Sequence, residues 1–258
     1  MSSPYDHAHT ARYYDLSHDW LTDDIPFLLE QAAAASGPLL EVGCGSGRLL
    51  VPLARAGHTV LGIDNAPEML GRAEARLAAE PPDVRARVQL VAADVKALRL
   101  PDPTSSFALA FFAYNTFMHL DEAGAAAALR QLRALLRPGG VLLLDVDNPL
   151  ALSAAGDDPD FALEDVLEDE TRGETVRQYT AYATVPGEQA VDVTWLYESD
   201  AGNPPRSRAR VRYHYFYPHQ YDLLFGLTGF RLTAFHGDYD RRAFDEESER
   251  LIVVGEAV

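Results

Sequence analysis

The 258-residue sequence predicts a doubly wound α/β fold, a seven-stranded and mostly parallel sheet, with an antiparallel three-stranded meander inserted late in the chain. Three observations carry this expectation. Short apolar or β-branched runs alternate with helical patterns between Leu39 and Asp145. Glycines at alternate positions, Gly43, Gly45 and Gly47, join the first run to a helix. Further β-rich runs, divided by Gly and Pro turn signals, break the alternation between residues 175 and 217.

The elements follow in order. Residues 8–20 carry Tyr13-Tyr14-Asp15, and a helix starts near Asp23-Asp24 with Pro26 in its first turn. The apolar run at Leu39 is the first strand, and the helix after Arg48 reaches about Arg55. A break at Ala56-Gly57-His58 leads to a second strand, 59–63, that ends in Asp64-Asn65. Helix 66–79 then takes Asn65 as its cap and Pro67 in its first turn. Strand three, 88–93, ends in Asp94, and strand four, 107–112, ends in Ala113-Tyr114-Asn115. An alanine- and leucine-rich helix, 123–136, stops at Pro138-Gly139 before strand five, 141–145. Residues 149–160 read as loop. The meander comprises 175–185, 189–197 and 208–217, with turns at Pro186-Gly187 and Gly202-Asn203-Pro204-Pro205. Helix 218–227 and strands at 231–235 and 251–254 complete the sheet.

Composition narrows the function. The net charge of −17 repels phosphate backbones, which excludes nucleic acid as a partner. No apolar run is long enough to span a bilayer, and residues 1–7 lack the basic and apolar regions of a secretory signal, so no membrane partner is expected. Cys44 is the single cysteine, which leaves no intrachain disulfide and favours a cytoplasmic location. It reads as a small residue filling a tight turn. The histidines are scattered, with no ligand-spaced pair, so no metal is expected. The sequence leaves a homodimer open.

Polar residues recur at the carboxyl ends of successive strands, where open α/β sheets bind ligands. Asp64, about 20 positions past the glycines, is placed to accept hydrogen bonds from ribose hydroxyls. The order Glu41-x-Gly43-x-Gly45-x-Gly47, then Asp64, then Asp94, with Arg137-Pro138-Gly139-Gly140 before strand five, resembles class I S-adenosylmethionine-dependent methyltransferases. Within that family it is similar to the small-molecule branch of glycine and sugar N-methyltransferases. The resemblance implies a Rossmann-like methyltransferase fold, S-adenosylmethionine as cofactor, and a small-molecule acceptor methylated on nitrogen or oxygen.

It also implies roles for single residues. The three glycines expose backbone to the methionine moiety, with Glu41 and Arg48 beside them; Asp64 and Asn65 take the ribose. Met69, Asp94 and Val95 meet the adenine, and Ala113 and Asn115 form the floor. Tyr13 and Tyr14 belong to an N-terminal lid, and Tyr14 and His119 are the candidate catalytic residues. His119, titrating near neutrality, suits a general base for an oxygen acceptor. Trp195, Arg212, Tyr215, Tyr217 and His219 are candidate pocket walls. The expected divisions are a lid, 1–38, a core, 39–148 with 218–258, and an inserted β subdomain, 149–217.

Two rivals differ in class. An NAD-dependent dehydrogenase wants glycine where Arg48 stands. A non-catalytic cofactor-binding or assembly protein is compatible with the sequence, because methyl transfer needs orientation and water exclusion more than any fixed catalytic group.

Overall fold

A computed structural model describes residues 5, 7–100, 106–154, 158–201 and 206–258. Two N-terminal helices, α1 (Ala8–His18) and α2 (Asp24–Ala35), precede β1 (Leu39–Val42), α3 (Leu50–Arg55), β2 (Val60–Asp64), α4 (Pro67–Ala78), α5 (Pro82–Arg85) and β3 (Val88–Ala92). Then come β4 (Phe107–Phe112), α6 (Glu122–Leu135), β5 (Leu136–Asp147) and α7 (Pro149–Ala154). The insertion holds β6 (Asp158–Asp169), β7 (Glu174–Thr184), β8 (Ala190–Ser199) and β9 (Arg206–His214). Helix α8 (Pro218–Thr228), β10 (Phe230–His236) and β11 (Arg250–Ala257) close the chain.

The seven-stranded sheet has the order β10-β11-β5-β4-β1-β2-β3. β1 pairs in parallel with both β2 and β4, Leu39 standing opposite Val60 and Leu109. Strand direction of winding therefore reverses at β1, and a crevice opens beyond the carboxyl ends of β1 and β4. The alternation of side chains sends Leu39 and Leu40 to opposite faces, and both are wholly buried. Leu40 joins Val42, Phe112, Leu129 and Phe225 on one face; Leu39 joins Phe27, Leu50, Leu53 and Phe111 on the other. Burial on both faces is why these strands read as continuous apolar runs.

Four details depart from the sequence reading. The inserted antiparallel sheet has four strands, β6-β7-β8-β9, rather than three. The stretch read as loop, 149–160, contains α7 and the start of β6. β6 is an edge strand, irregular between Asp158 and Ala162 and between Leu163 and Asp165, and its many acids suppress the β signal. Residues 215–217 lie beyond β9, and the expected turn at 202–205 lies outside the described residues. Finally, the cap of α4 is Ala66, not Asn65: the Ala66 amide donates to Asp64 Oδ1 at 2.8 Å.

Helix α1 bridges the two sheets. Arg12, buried, donates to Asp169 Oδ2 at 2.7 Å and pairs with Glu174 Oε2 at 2.5 Å, both in the inserted sheet. On its other side Asp15 pairs with Arg72 of α4. Arg48, just past the glycine turn, takes Asp24 in a two-pronged pair (2.8 and 2.5 Å) and donates to the Leu21 carbonyl. The N-terminal segment is thus fastened to the core and to the insertion by charged pairs with little solvent access.

Candidate active site

A cavity of about 300 Å³ lies at the carboxyl ends of β1, β2 and β4. Its floor is the strand ends, and its roof is α1 together with β7, β8 and β9 of the inserted sheet. Gly43 and Gly45 line it with φ of +68° and +53°. A Cβ on Gly43 would fall 2.2 Å from Thr116 Cγ2, so any side chain there is excluded by space as well as by conformation. Asp64 Oδ2 accepts the Gly45 amide at 2.8 Å, which locks the turn to the end of β2. Cys44 packs beneath: a Cβ on Gly62 would lie 2.9 Å from its sulfur, and burial raises its thiol pKa well above the ordinary range.

The floor at the end of β4 is a sharp turn with two residues at positive φ, Tyr114 (+43°) and Asn115 (+69°). Asp145 holds it from β5. Its Oδ2 accepts the Tyr114 amide at 3.0 Å, and its carbonyl accepts the Asn115 amide at 3.0 Å. Asn115 Oδ1 in turn accepts from the Asp147 amide and from Arg250 Nη2.

The sequence-predicted residues divide into two groups. Tyr14, Gly43, Gly45, Asp64, Asn65, Met69, Asp94, Val95, Asn115 and His119 all line the cavity. Tyr13, Glu41, Gly47, Arg48 and Ala113 stand behind its wall. Tyr13, one position from Tyr14 on α1, faces the other way; its ring packs on Tyr197 and its hydroxyl donates to Glu174 at 3.3 Å. Gly47, at φ +82°, lets the turn approach Ala73 of α4. Ala113 packs in the core. Glu41 is buried with Oε2 unpartnered; burial pushes its pKa well above the carboxylate range, with Arg48 opposing and Asp24 and Asp64 adding. Of the candidate walls Trp195 lines the cavity, whereas Arg212 is paired with Asp192 on the outer face of the insertion. Tyr215 and Tyr217 contact each other beyond the end of β9, and Tyr217 stacks on His219.

Several lining residues escaped the sequence reading: Tyr5, Ser17, His18, Tyr114, Thr116, Gln178, Tyr197 and Tyr213. His18 lies one turn after Tyr14 and stacks on it, 3.9 Å between ring centres. That i, i+4 spacing was the available signal. Burial lowers the His18 pKa to about 4, against a hydrogen bond to the Tyr14 carbonyl that raises it. The protein atoms packed around the ring, with His214 adding, lower the His119 pKa toward about 4. The His119 residue meets the cavity with an exposed edge, so water there tempers the shift until a ligand displaces it.

The geometry suits a nucleoside-bearing cofactor. Glycine backbone lies open at one end, and a carboxylate terminates each of β2 and β3, the second being Asp94 beside Lys96. Met69, Ile63, Val95 and Leu120 form an apolar slot between them. Among the described residues no helix is long and apolar enough to cross a membrane.

Comparison with known proteins agrees. Residues 39–140 match a methyltransferase domain family. The methyltransferase CcbJ of Streptomyces caelestis superposes with a TM-score of 0.82, covers 99% of this chain and 98% of its own, and is 28% identical. CalS10 of Micromonospora echinaspora, an amino pentose methyltransferase solved with S-adenosylmethionine bound, has a TM-score of 0.66 at 22% identity over 100% of this chain and 98% of its own. A ubiquinone biosynthesis O-methyltransferase of Aeromonas salmonicida (strain A449) is 33% identical over 132 residues, 50% of this chain and 49% of that protein. With the glycine turn, the strand-end acids and the sheet order already in place, the chain is an S-adenosylmethionine-dependent methyltransferase of the Rossmann-like class, with residues 39–140 as its methyltransferase domain.

Proposed function

We propose that the chain methylates the nitrogen of a small-molecule amine held in the roofed part of the cavity. The observation that carries this reading is the absence of a charged base there. Among the described residues, the acidic lining side chains are Asp64 and Asp94, both at the floor. The roofed part offers tyrosines, Trp195, Gln178 and a His119 whose basicity burial has lowered. A neutral amine already has the lone pair that in-line displacement needs; a hydroxyl gains from proton removal. CalS10, whose acceptor is an amino sugar, supports the same direction.

In this reading the cofactor supplies an electrophilic methyl group on a sulfonium. Gly43 and Gly45 would hold its methionine end by backbone, Asp64 and Asn65 its ribose, and Met69, Asp94 and Val95 its adenine. Asn115 and Thr116 shape the floor. Tyr14 and His18 close the site from α1 and exclude water, which also strengthens every polar contact inside. Residues 1–38 act as a lid and 149–217 as an acceptor-covering subdomain. A cytoplasmic setting belongs to the same reading and rests on the single cysteine.

The test is a turnover screen that reads S-adenosylhomocysteine release with matched amine and phenol or alcohol panels. Methylated product is expected from amines. Product from hydroxyl acceptors alone overturns the assignment to nitrogen and leaves the cofactor assignment untouched.

A further inference from the structure

The roofed part of the cavity has a chemical character of its own. Rings line it at steep mutual angles. Tyr5 meets Tyr14 at 5.5 Å and 80°, and His119 at 5.9 Å and 90°; Tyr213 meets His119 at 5.1 Å and Trp195 at 6.4 Å and 73°. Such walls present aromatic faces from several directions, the geometry that attracts a cation.

Beside them stands Gln178 of β7, 7% exposed. Its Nε2 donates to Glu164 Oε2 at 2.6 Å. That carboxylate can only accept, so the orientation of the amide is fixed. Oε1 is left buried without a partner. A buried acceptor oxygen without a donor costs stability, so it marks a place where a donor belongs.

The charges agree. The lining contains a single cation, Lys96, paired with Asp94 Oδ2 at 3.4 Å at the far, β3 end. The residues outside the description, 1–4, 6, 101–105, 155–157 and 202–205, include no Lys or Arg. Glu164, behind Gln178, adds negative potential on the roofed side, and Asp147 does so near Tyr213.

We propose that this part of the cavity is an aromatic cage for a basic, phosphate-free amine, whose ammonium N–H donates to Gln178 Oε1 while its alkyl substituents meet the faces of Trp195, Tyr213 and Tyr5. The cage receives the ammonium form for binding and holds the methylated ammonium product; the amine delivers its lone pair after losing a proton to solvent before closure. Among the described residues, a phosphate-bearing acceptor finds no Lys or Arg lining the roofed part to neutralise it. This rests on the nitrogen reading above and narrows it.

Protein saturated with S-adenosylhomocysteine provides the test, because that ligand carries no sulfonium charge. Its affinity is measured first; failure to bind removes the cofactor site and the cage with it. The protein has two tryptophans, and Trp20 is exposed, so Trp195 fluorescence in a Trp20→Phe background reports occupancy. The probes are N,N-dimethylethanolammonium and its uncharged isostere 3-methyl-1-butanol. The ammonium is expected to bind roughly tenfold tighter. Gln178→Met is expected to weaken the ammonium about tenfold or more, while the affinities of the alcohol and of S-adenosylhomocysteine stay unchanged. Inorganic pyrophosphate is expected not to displace the ammonium. With S-adenosylhomocysteine bound, equal affinity of the two probes, an ammonium too weak to detect, a Gln178→Met effect common to both, or displacement by pyrophosphate each overturns the cage.

Discussion

Arg250 of β11 grips Asp145 of β5 through two hydrogen bonds to one carboxylate oxygen, Nε at 2.9 Å and Nη2 at 2.7 Å. The other Asp145 oxygen accepts the Tyr114 amide and the Tyr239 hydroxyl, each at 3.0 Å. Arg250 also lies 4.9 Å from the centre of the Tyr114 ring and reaches Asp147 and Asn115. One ion pair, far from the glycine turn in sequence, therefore fixes the left-handed turn that floors the cavity. Removing one partner of such a buried pair is far costlier than the net worth of the pair, because the other charge is stranded.

Arg250→Leu should therefore lower stability by about 3–5 kcal/mol. Adding Asp145→Asn should recover part of the loss, since the buried Asp145 carboxylate is then no longer stranded and Asp147, the other partner of Arg250, has 36% of its side chain exposed to water. Urea unfolding of the single and double variants measures both. A single-variant loss below about 1 kcal/mol would show that the pair is not what holds the turn.

Asp64→Ala should weaken S-adenosylhomocysteine binding by roughly 1.5–3 kcal/mol, the range for a hydrogen bond to a charged group. The residue also accepts the Gly45 and Ala66 amides, so the turn itself loosens. Asp64→Asn keeps one amide-accepting oxygen and should lie between. Calorimetry that finds wild-type affinity in a folded Asp64→Ala protein sinks the ribose assignment.

The parallel core was readable because β1, β2 and β4 are buried on both faces and polar residues follow the strand ends, as Ile63-Asp64 and Phe112-Ala113-Tyr114-Asn115 show. The floor of the site was readable for the same reason. The roof was not. β6 carries an edge strand's acids, and its pairing with β7 is irregular, so it lacks the alternation that exposed β8. Gln178, Tyr197 and Tyr213 reach the cavity only because the inserted sheet folds over it, and no local pattern encodes that placement. Tyr13 and Tyr14 illustrate the limit within one helix. Adjacent residues point about 100° apart, so only Tyr14 faces the cavity while Tyr13 packs on the insertion.

Cofactor should slow hydrogen exchange across α1, residues 8–18, because Tyr14 and His18 contribute to the cavity wall while Arg12 anchors the helix to Asp169 and Glu174. Arg12→Leu should speed exchange of the same segment in the free protein. Identical protection with and without S-adenosylhomocysteine would reduce α1 to a packing element.

Acid should destabilise the protein through His18. Burial favours its neutral form in the fold and lowers its pKa to about 4, whereas the unfolded chain titrates near 6.5. Below pH 6.5 the unfolded state therefore binds the extra proton, and the contribution of His18, fully present above that pH, is lost as pH falls toward 4. The loss is roughly 2–3 kcal/mol at the low end. His18→Asn keeps a donor for the Tyr14 carbonyl and does not titrate, so its stability should vary less with pH across this window. Parallel pH profiles for the two proteins would contradict the burial argument.

His119 lines the cavity where a general base for an oxygen acceptor would stand, yet burial has lowered its pKa to about 4. General-base catalysis is worth about 10²–10⁴ in rate when the pKa matches the working pH. Once a ligand displaces the water at its exposed edge, a histidine so lowered is unprotonated near neutrality, so in the closed site it accepts hydrogen bonds but has little affinity for a proton. With an amine acceptor, His119→Ala should therefore reduce turnover less than about threefold, well under the general-base range. The pH dependence of kcat/KM should keep the inflection of the acceptor amine and show none near neutrality that disappears in the variant. A loss of a hundredfold or more, together with disappearance of an inflection near neutrality, would instead make His119 the base and return oxygen acceptors to the front.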